Sequence, residues 1–427
     1  MTVTKSKTGP VEGWAEIDFN AEPFLSDFKK VYQAMHESGC PFGHSSSGDH
    51  YAVASHAEIV NILKQYDVWK SKYGPALDYL DSPGVLVSVD PPEHTNEVRI
   101  VADCFSKDVF NALIPDMEAF VNERLDEVFE KGEMDLHDAI SVPFPLFVIH
   151  KLLGFPLEDP DGTSRIGFIR DGIITGVGMM IEPRGSREEN IAKLPADDPG
   201  LAGVARTAQM YVDHLTECKA KLASGQWQND TNIVCQFLTT PGPDGVLLTD
   251  EKILGFMNFL ETAGSATTTI MLSNVIYRLL TEEGAYERVC NDPGLIPVAI
   301  EETLRLDAPV QGLFRTNDKP LELGGCPLQE DTKVMLLWAG ANVDPEVFDD
   351  PMTFSLDRDL SKIRRHLAFG YGTHFCRGAP LARLEGEIFL KALLPRLKNL
   401  RLNGDVVVEK RIPVLQGLRH LPVAWDV

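Results

Sequence analysis

The stretch FGYGTHFCRGAP, residues 369–380, sets a lone cysteine between a glycine-rich turn and the start of a helix. Pro380 suits the first helical turn, where its missing N–H would have no partner anyway. Backbone N–H groups around Cys376 would point at the sulfur and, with the positive end of the helix, favour thiolate. Gly370, Gly372 and Gly378 let the chain bend tightly and let a flat group approach the backbone. With no second cysteine or histidine pair nearby, the pattern is a poor zinc site. A thiolate held by amides does suit the fifth ligand position of a heme iron, where sulfur donates electron density that favours O–O cleavage. A structural cysteine buried in a turn is the competing reading.

The chain around this loop has 427 residues, enough for two average domains or one large core. Apolar residues make up 44% and charged residues 24%, an ordinary globular balance. The net charge of −23 argues against nucleic acid or an anionic membrane as the main partner. Apolar runs such as VMLLWAGA (334–341) are too short to span a bilayer. The opening MTVTKSKTGPVEGW has no apolar core of a signal peptide. Seven cysteines are scattered without a CxxC pair, which predicts reduced thiols and the cytoplasm.

Periodicity predicts a mainly α fold with small β-sheets. HYAVASH (50–56) alternates like a strand, and AEIVNILKQY (57–66) follows as a helix. MEAFVNERLDEVFEK (117–131) has helical period, and SVPFPLFVIHKLLGFP (141–156) is apolar on nearly all sides, as a buried helix is. The polar stretch 179–200 holds three prolines and reads as a long lid-like loop. The run LTDEKILG…TEEG (248–284) predicts one very long helix, capped by Thr249 or Asp250 and ended by Gly284. At about 1.5 Å per residue it would be roughly 50 Å long, a length only a central helix requires. LIPVAIEETLRL (295–306) is a further helix. Strands follow in GLFRTNDKPLELGG, in TKVMLLWA and in the last 30 residues. No Gly/Ser-rich linker divides the chain, so residues 21–427 read as a single large domain behind a flexible arm, 1–20.

Phe369, Gly372, Cys376 and Gly378 fit the pattern F-x-x-G-x-x-x-C-x-G, which resembles the heme-binding loop of the cytochrome P-450 superfamily. Three further segments resemble soluble bacterial members, in the expected order. Glu302 and Arg305 match the family's E-x-x-R, which anchors the region beneath the heme; read alone, the pair is an ordinary exposed helix ion pair. In PMTF (351–354), Thr353 stands where the family often has an arginine, and Arg358 is the nearest substitute. Ala263-Gly264-Ser265-Ala266-Thr267-Thr268 matches the oxygen-binding segment of the long helix. There Gly264 would let the helix open, and the Thr267 hydroxyl would hydrogen-bond to the oxygen being activated. Ala266 stands where an acid usually relays protons; Glu261, five residues back, water or the substrate are the substitutes. VDPPEHTNEVRIV (89–101) supplies His94, but Val98 replaces the usual arginine, and Arg99 is rotated about 100° away.

The resemblance implies the P-450 fold with its long central helix, and heme b (iron protoporphyrin IX) ligated by Cys376. His94, Arg315 and His366 would face the propionates, with Phe369, Gly370 and Gly378 against the ring. It places Leu86, Val87, Phe259, Thr262, Ala263 and Val310 around a small or medium hydrophobic substrate, with Gly264, Ala266 and Thr267 at the reaction centre. It implies an O2-dependent monooxygenase served by a separate ferredoxin and NAD(P)H-dependent reductase. Arg364, Arg365 and Arg377 would form the docking face. Ala266 leaves two alternatives open, a peroxide-driven or atypical heme-thiolate enzyme and a non-catalytic heme-binding sensor.

Overall fold

The computed structural model describes residues 14–18, 22, 24–45, 50–77, 84–159, 161–178, 197–226, 232–242, 245–409 and 414–427. Its helices of seven residues or more are α1 (Phe24–Glu37), α2 (His56–Lys64), α3 (Glu93–Val101), α4 (Lys107–Phe129), α5 (Pro143–Leu153), α6 (Ile166–Gly178), α7 (Pro199–Ala223), α8 (Ile233–Thr239), α9 (Asp250–Thr281), α10 (Ala285–Asn291), α11 (Ile296–Leu306) and α12 (Ala379–Leu393). The strands are β1 (Ala15–Glu16), β2 (Phe42–Ser45), β3 (His50–Val53), β4 (Trp69–Lys70), β5 (Glu133–Asp135), β6 (Leu313–Asn317), β7 (Leu321–Leu323), β8 (Cys326–Leu328), β9 (Lys333–Leu336), β10 (Lys398–Leu402), β11 (Val407–Val408), β12 (Leu418–His420) and β13 (Pro422–Asp426).

The 32-residue α9 is the axis of the fold. Thr249 caps it, its side chain accepting from Lys252 N, and Asp250 and Glu251 oppose the positive helix end. From Thr268 to Ile276 every residue is buried, as in a helix packed on all sides. Its end differs from expectation. The helix stops at Thr281, and Gly284, at φ 67°, precedes the first turn of α10 instead. The buried helix expected in 141–156 is α5, stopped by Gly154 in the left-handed region.

Strands distant in sequence share one six-stranded sheet, ordered β1-β2-β3-β9-β6-β4. β3 pairs in parallel with β9, Tyr51 opposite Val334, so the sheet joins the N-terminal region to residues 313–336. A three-stranded sheet, β10-β13-β5, and two hairpins complete the β structure. The arm boundary at residue 21 falls too late, because Ala15 and Glu16 pair with Gly43 and His44. Residues 1–13 of that arm, and 179–196 of the long polar loop, lie outside the described residues. No described helix is long and apolar enough to cross a membrane.

Candidate active site

The loop around Cys376 is shaped by two residues that only glycine fills easily. Gly370 and Gly372 have φ of 69° and 70°, and a Cβ on Gly372 would stand 3.0 Å from Leu63 O. Cys376 N donates to Phe369 O at 3.0 Å, closing the turn, and α12 begins three residues later with Pro380 in its first turn. The side chain of Cys376 is a free thiol and accessible. Its acidity departs from the thiolate expected of the sequence. Desolvation by the surrounding chain pushes the thiol up, and the amides of Gly378 and Ala379 oppose this only in part. Gly386 on α12 meets Met271 of α9 and Ile300 of α11, 3.1 and 3.0 Å from where its Cβ would stand. That close crossing holds the loop's helix against the central one.

Beneath the loop lies a buried ionic platform. Arg305 donates to both oxygens of Glu302 at 2.8 Å, and both side chains are fully buried, contrary to an exposed pair. Arg305 also caps the carbonyls of Asn342 and Pro351, and Arg358 donates to Glu302 at 2.8 Å. Arg358 thus supplies the third member that Thr353 cannot; Thr353 contributes its carbonyl to both arginines. The adjacent Glu301 takes His366, Arg364 and Arg383 at 2.9, 2.9 and 2.6 Å. Burial pushes Glu301 up, but hydrogen bonds and charge from its partners outweigh it and hold the carboxyl at about 2. His366 is pushed down by burial, so the arginines carry the compensating charge. The Arg383 guanidinium lies 4.5 Å from the Phe369 ring centroid, coupling platform and loop.

This geometry corrects two assignments. His366 points to Glu301 and its Nδ1 accepts from Ala368 N, so it supports the platform and is not aimed at a propionate. Arg364 is committed to Glu301, whereas Arg365 and Arg377 are exposed with no ion pair among the described residues.

His374, two residues before Cys376, occupies the place expected of His366. Its ring lies 4.1 Å from that of His94, and Ser71 Oγ is 3.2 Å from its Nε2. The sequence reading passed over it, although its fixed offset within the loop motif was visible. Arg315 completes the cluster electrostatically and is buried; burial holds it down to about 10. Its described hydrogen bond goes to the Phe314 carbonyl. Asp90, the acid that acts on it, is occupied by the amides of Ser71 and Lys72. Buried His94 has no partner at Nδ1. Burial and neighbouring cations push both histidines down. A buried arginine with no contacting acid among the described residues, flanked by two neutral imidazoles able to donate, fits a group that brings carboxylates of its own. Arg99 is exposed and takes no part.

On α9, residues 255, 259, 263 and 267 recur at intervals of four and share one stripe. Gly255, Phe259, Thr262, Ala263, Ala266 and Thr267 are half-buried, whereas the run Thr268–Ile276 that follows is buried throughout. Val85, the neighbour of Leu86 in the chain, packs over Gly255, 3.5 Å from where its Cβ would stand. Half-buried Val310 pairs with Leu415 near the C-terminal hairpin. Thr267 Oγ1 donates to Ala263 O at 2.7 Å, the common i−4 bond.

Gly264 also has a packing role. The helix is unbroken, and a Cβ at Gly264 would lie 2.3 Å from Ile149 Cδ1, so the glycine admits α5. Glu261 is fully buried between His150 Nε2, at 2.8 Å, and the Tyr211 hydroxyl, which removes it from the reactive stripe. Ala266 borders a cavity of about 200 Å³, with His137, Asp138, Arg170 and Glu409 among its polar lining.

Comparison with known proteins identifies the architecture. The cytochrome P450 family model matches residues 295–413, which span α11, the platform and the Cys376 loop. The monooxygenase PikC of Streptomyces venezuelae is 32% identical, over 80% of this chain and 76% of its own. Cyclomarin C epoxidase CymV of Salinispora arenicola is 30% identical, over 84% and 85%. The structure of CYP109E1 from Bacillus megaterium in complex with testosterone superposes with a TM-score of 0.80 at 27% identity, covering 95% of this chain and all of that one. The chain belongs to the cytochrome P450 family, monooxygenases whose cofactor is heme b.

Proposed function

We propose that this chain inserts one oxygen atom of O2 into a small or medium hydrophobic molecule, drawing electrons from a separate ferredoxin and its NAD(P)H-dependent reductase. The observation that carries the reading is a free thiol at the head of α12, close in sequence to His374, whose ring meets that of buried His94 beside the buried cation Arg315. Cys376 would hold the iron, and Arg315 with the imidazoles of His94 and His374 the propionates, with Phe369, Gly370 and Gly378 against the ring. When bound, the heme supplies oxygen activation, assisted by electron donation from sulfur.

The remaining steps fall to the chain. Phe259, Thr262, Ala263 and Val310 present apolar surface, with Leu86 and Val87 opposite, which excludes water and orients a hydrophobic substrate. The relative crystallised with testosterone supports a molecule of that size. Thr267 holds a proton at Oγ1; its bond to Ala263 O fixes the hydroxyl and leaves the oxygen able to accept from water. With Ala266 at the acid position and Glu261 enclosed, water from the cavity beside Ala266 supplies protons.

Lys362, Arg365 and Arg377, with exposed Tyr371 and Phe375, offer an acidic ferredoxin a cationic rim around an aromatic centre. Seven cysteines without a disulfide among them support a cytoplasmic setting. Ala266 favours one second reading, oxidation driven by hydrogen peroxide, which needs neither ferredoxin nor the usual proton relay.

The test is spectroscopic. Reduced, heme-loaded protein treated with carbon monoxide should absorb near 450 nm, and Cys376→Ser should lose that band while staying folded. A band retained in the variant would overturn the assignment. Turnover with hydrogen peroxide against NADH plus a redox chain separates the two oxidant readings.

A further inference from the structure

The segment before α3, which carries Leu86 and Val87, is held in an unusual way. Leu86 has φ 41°, a left-handed conformation disfavoured for a branched side chain. Its amide donates to Glu97 Oε2 at 2.6 Å, and Glu97 is buried one turn into α3. The other oxygen of Glu97 meets Lys252 Nζ at 2.7 Å. Lys252 belongs to the first turn of α9, and its ammonium also donates to Gly84 O at 2.6 Å and to the exposed Glu93 at 2.8 Å. One lysine therefore joins the central helix, α3 and both ends of the Gly84–Leu86 turn. Val85 rests on Gly255 just above, at the start of the reactive stripe.

The geometry points to Lys252 and Glu97 as positioning residues for substrate selection: they clamp the Leu86 wall over the reactive stripe in a strained shape that sets which molecules fit. The inference rests on Leu86 and Val87 lining the substrate site. The physical case is one of compensation. A left-handed leucine persists only where its surroundings over-determine it. Here a charge-assisted bond to the Leu86 amide and another to the Gly84 carbonyl do so. Neither clamp residue belongs to the stripe, so both act through the wall and leave the chemistry untouched. Lys252 is 13% exposed and Glu97 4%, so solvent screens their pairing far less than it would a surface pair. Glu93, at 59%, adds little.

Hydrogen exchange of the heme-loaded protein gives a readout independent of turnover. In Lys252→Met the amides of Leu86 and Ser88 should exchange about tenfold faster or more, as expected for loss of a charge-assisted bond. Glu93→Gln should change them by less than about twofold, as for a surface charge. Spectral titration supplies the second arm. Imidazole, too small to meet the wall, should bind Lys252→Met as it binds the wild type. Phenyl-substituted imidazoles of increasing size should lose their ranking, and Lys252→Arg should restore it. Should Lys252→Met fail to load heme, Glu97→Gln removes the same charge pairing and should show the same exchange and ranking changes. Unchanged Leu86 exchange and an unchanged ranking would overturn the clamp. An effect in Glu93→Gln as large as that of Lys252→Met would overturn the role of Glu97. If the wild type itself bound no imidazole at its heme, the monooxygenase reading would fall; the exchange result would still judge the clamp.

Discussion

Beneath the Cys376 loop, two adjacent acids, Glu301 and Glu302, take four arginines and a histidine, and the acids and Arg305 are fully buried. Along the reactive stripe of α9 the facing side chains are glycine, phenylalanine, alanine and threonine, half-buried and uncharged. The difference teaches what each side requires. On the proposed reading the loop side keeps one sulfur in place, and a saturated network of charge-assisted bonds gives a single stiff arrangement. The stripe, on the same reading, admits molecules and releases them, which small apolar side chains allow. Where the stripe side does use buried charge, as at Lys252 and Glu97, it holds backbone at the rim.

The contrast is most easily broken at Arg305. Arg305→Ala leaves Glu302 without its main buried partner, and such losses run to about 3–5 kcal/mol. Chemical denaturation should show this destabilisation, with heme retention falling in parallel; a loss below about 1 kcal/mol, the scale of surface pairs, would make the platform a surface feature.

Acid should act on the same side next. Glu301 is held at about 2 in the folded chain against an ordinary value of 4.5. A depressed carboxyl stabilises the fold above its unfolded value, and that contribution is lost as pH falls from about 4.5 towards 2. The loss amounts to up to about 3 kcal/mol. Thermal melting across that window should fall steeply in the wild type and less so in Glu301→Gln.

A smaller effect is expected on the stripe side at Gly264. Gly264→Ala drives a methyl into Ile149 and should lower stability by about 1–3 kcal/mol, offset in part by better helix propensity. Ile149→Ala in the same chain should recover part of the loss, and independent effects of the two changes would contradict the close approach. The smallest stability change is expected for Thr267→Val, within about 0.5 kcal/mol, since the hydroxyl only bonds back to Ala263. Its effect should appear instead as less product per NADH consumed.

Local signals in the chain were read directly. The motif F-x-x-G-x-x-x-C-x-G, the Thr249 cap and the length of α9 depend on near neighbours, and the structure carries all three. His374 was missed although its offset from Cys376 is also local. The packing of Gly264 on Ile149 was not legible, because the two lie 115 residues apart (264 − 149) and no spacing rule connects them. His366 was misread for a similar reason: Glu301 lies on another helix, and which acid captures a histidine depends on how those helices dock.

By itself, then, the order of residues determined the helices, the thiol's position at the head of one of them and the departure at Ala266, because capping, periodicity and turn chemistry act over a few residues. Only the tertiary structure decided that Arg358 completes the Glu302 platform, that Glu261 is enclosed by His150 and Tyr211, and that Lys252 reaches Glu97 and Gly84. Those pairings form between segments remote in sequence, where burial makes each unpartnered charge costly and so selects the one docking in which the charges meet.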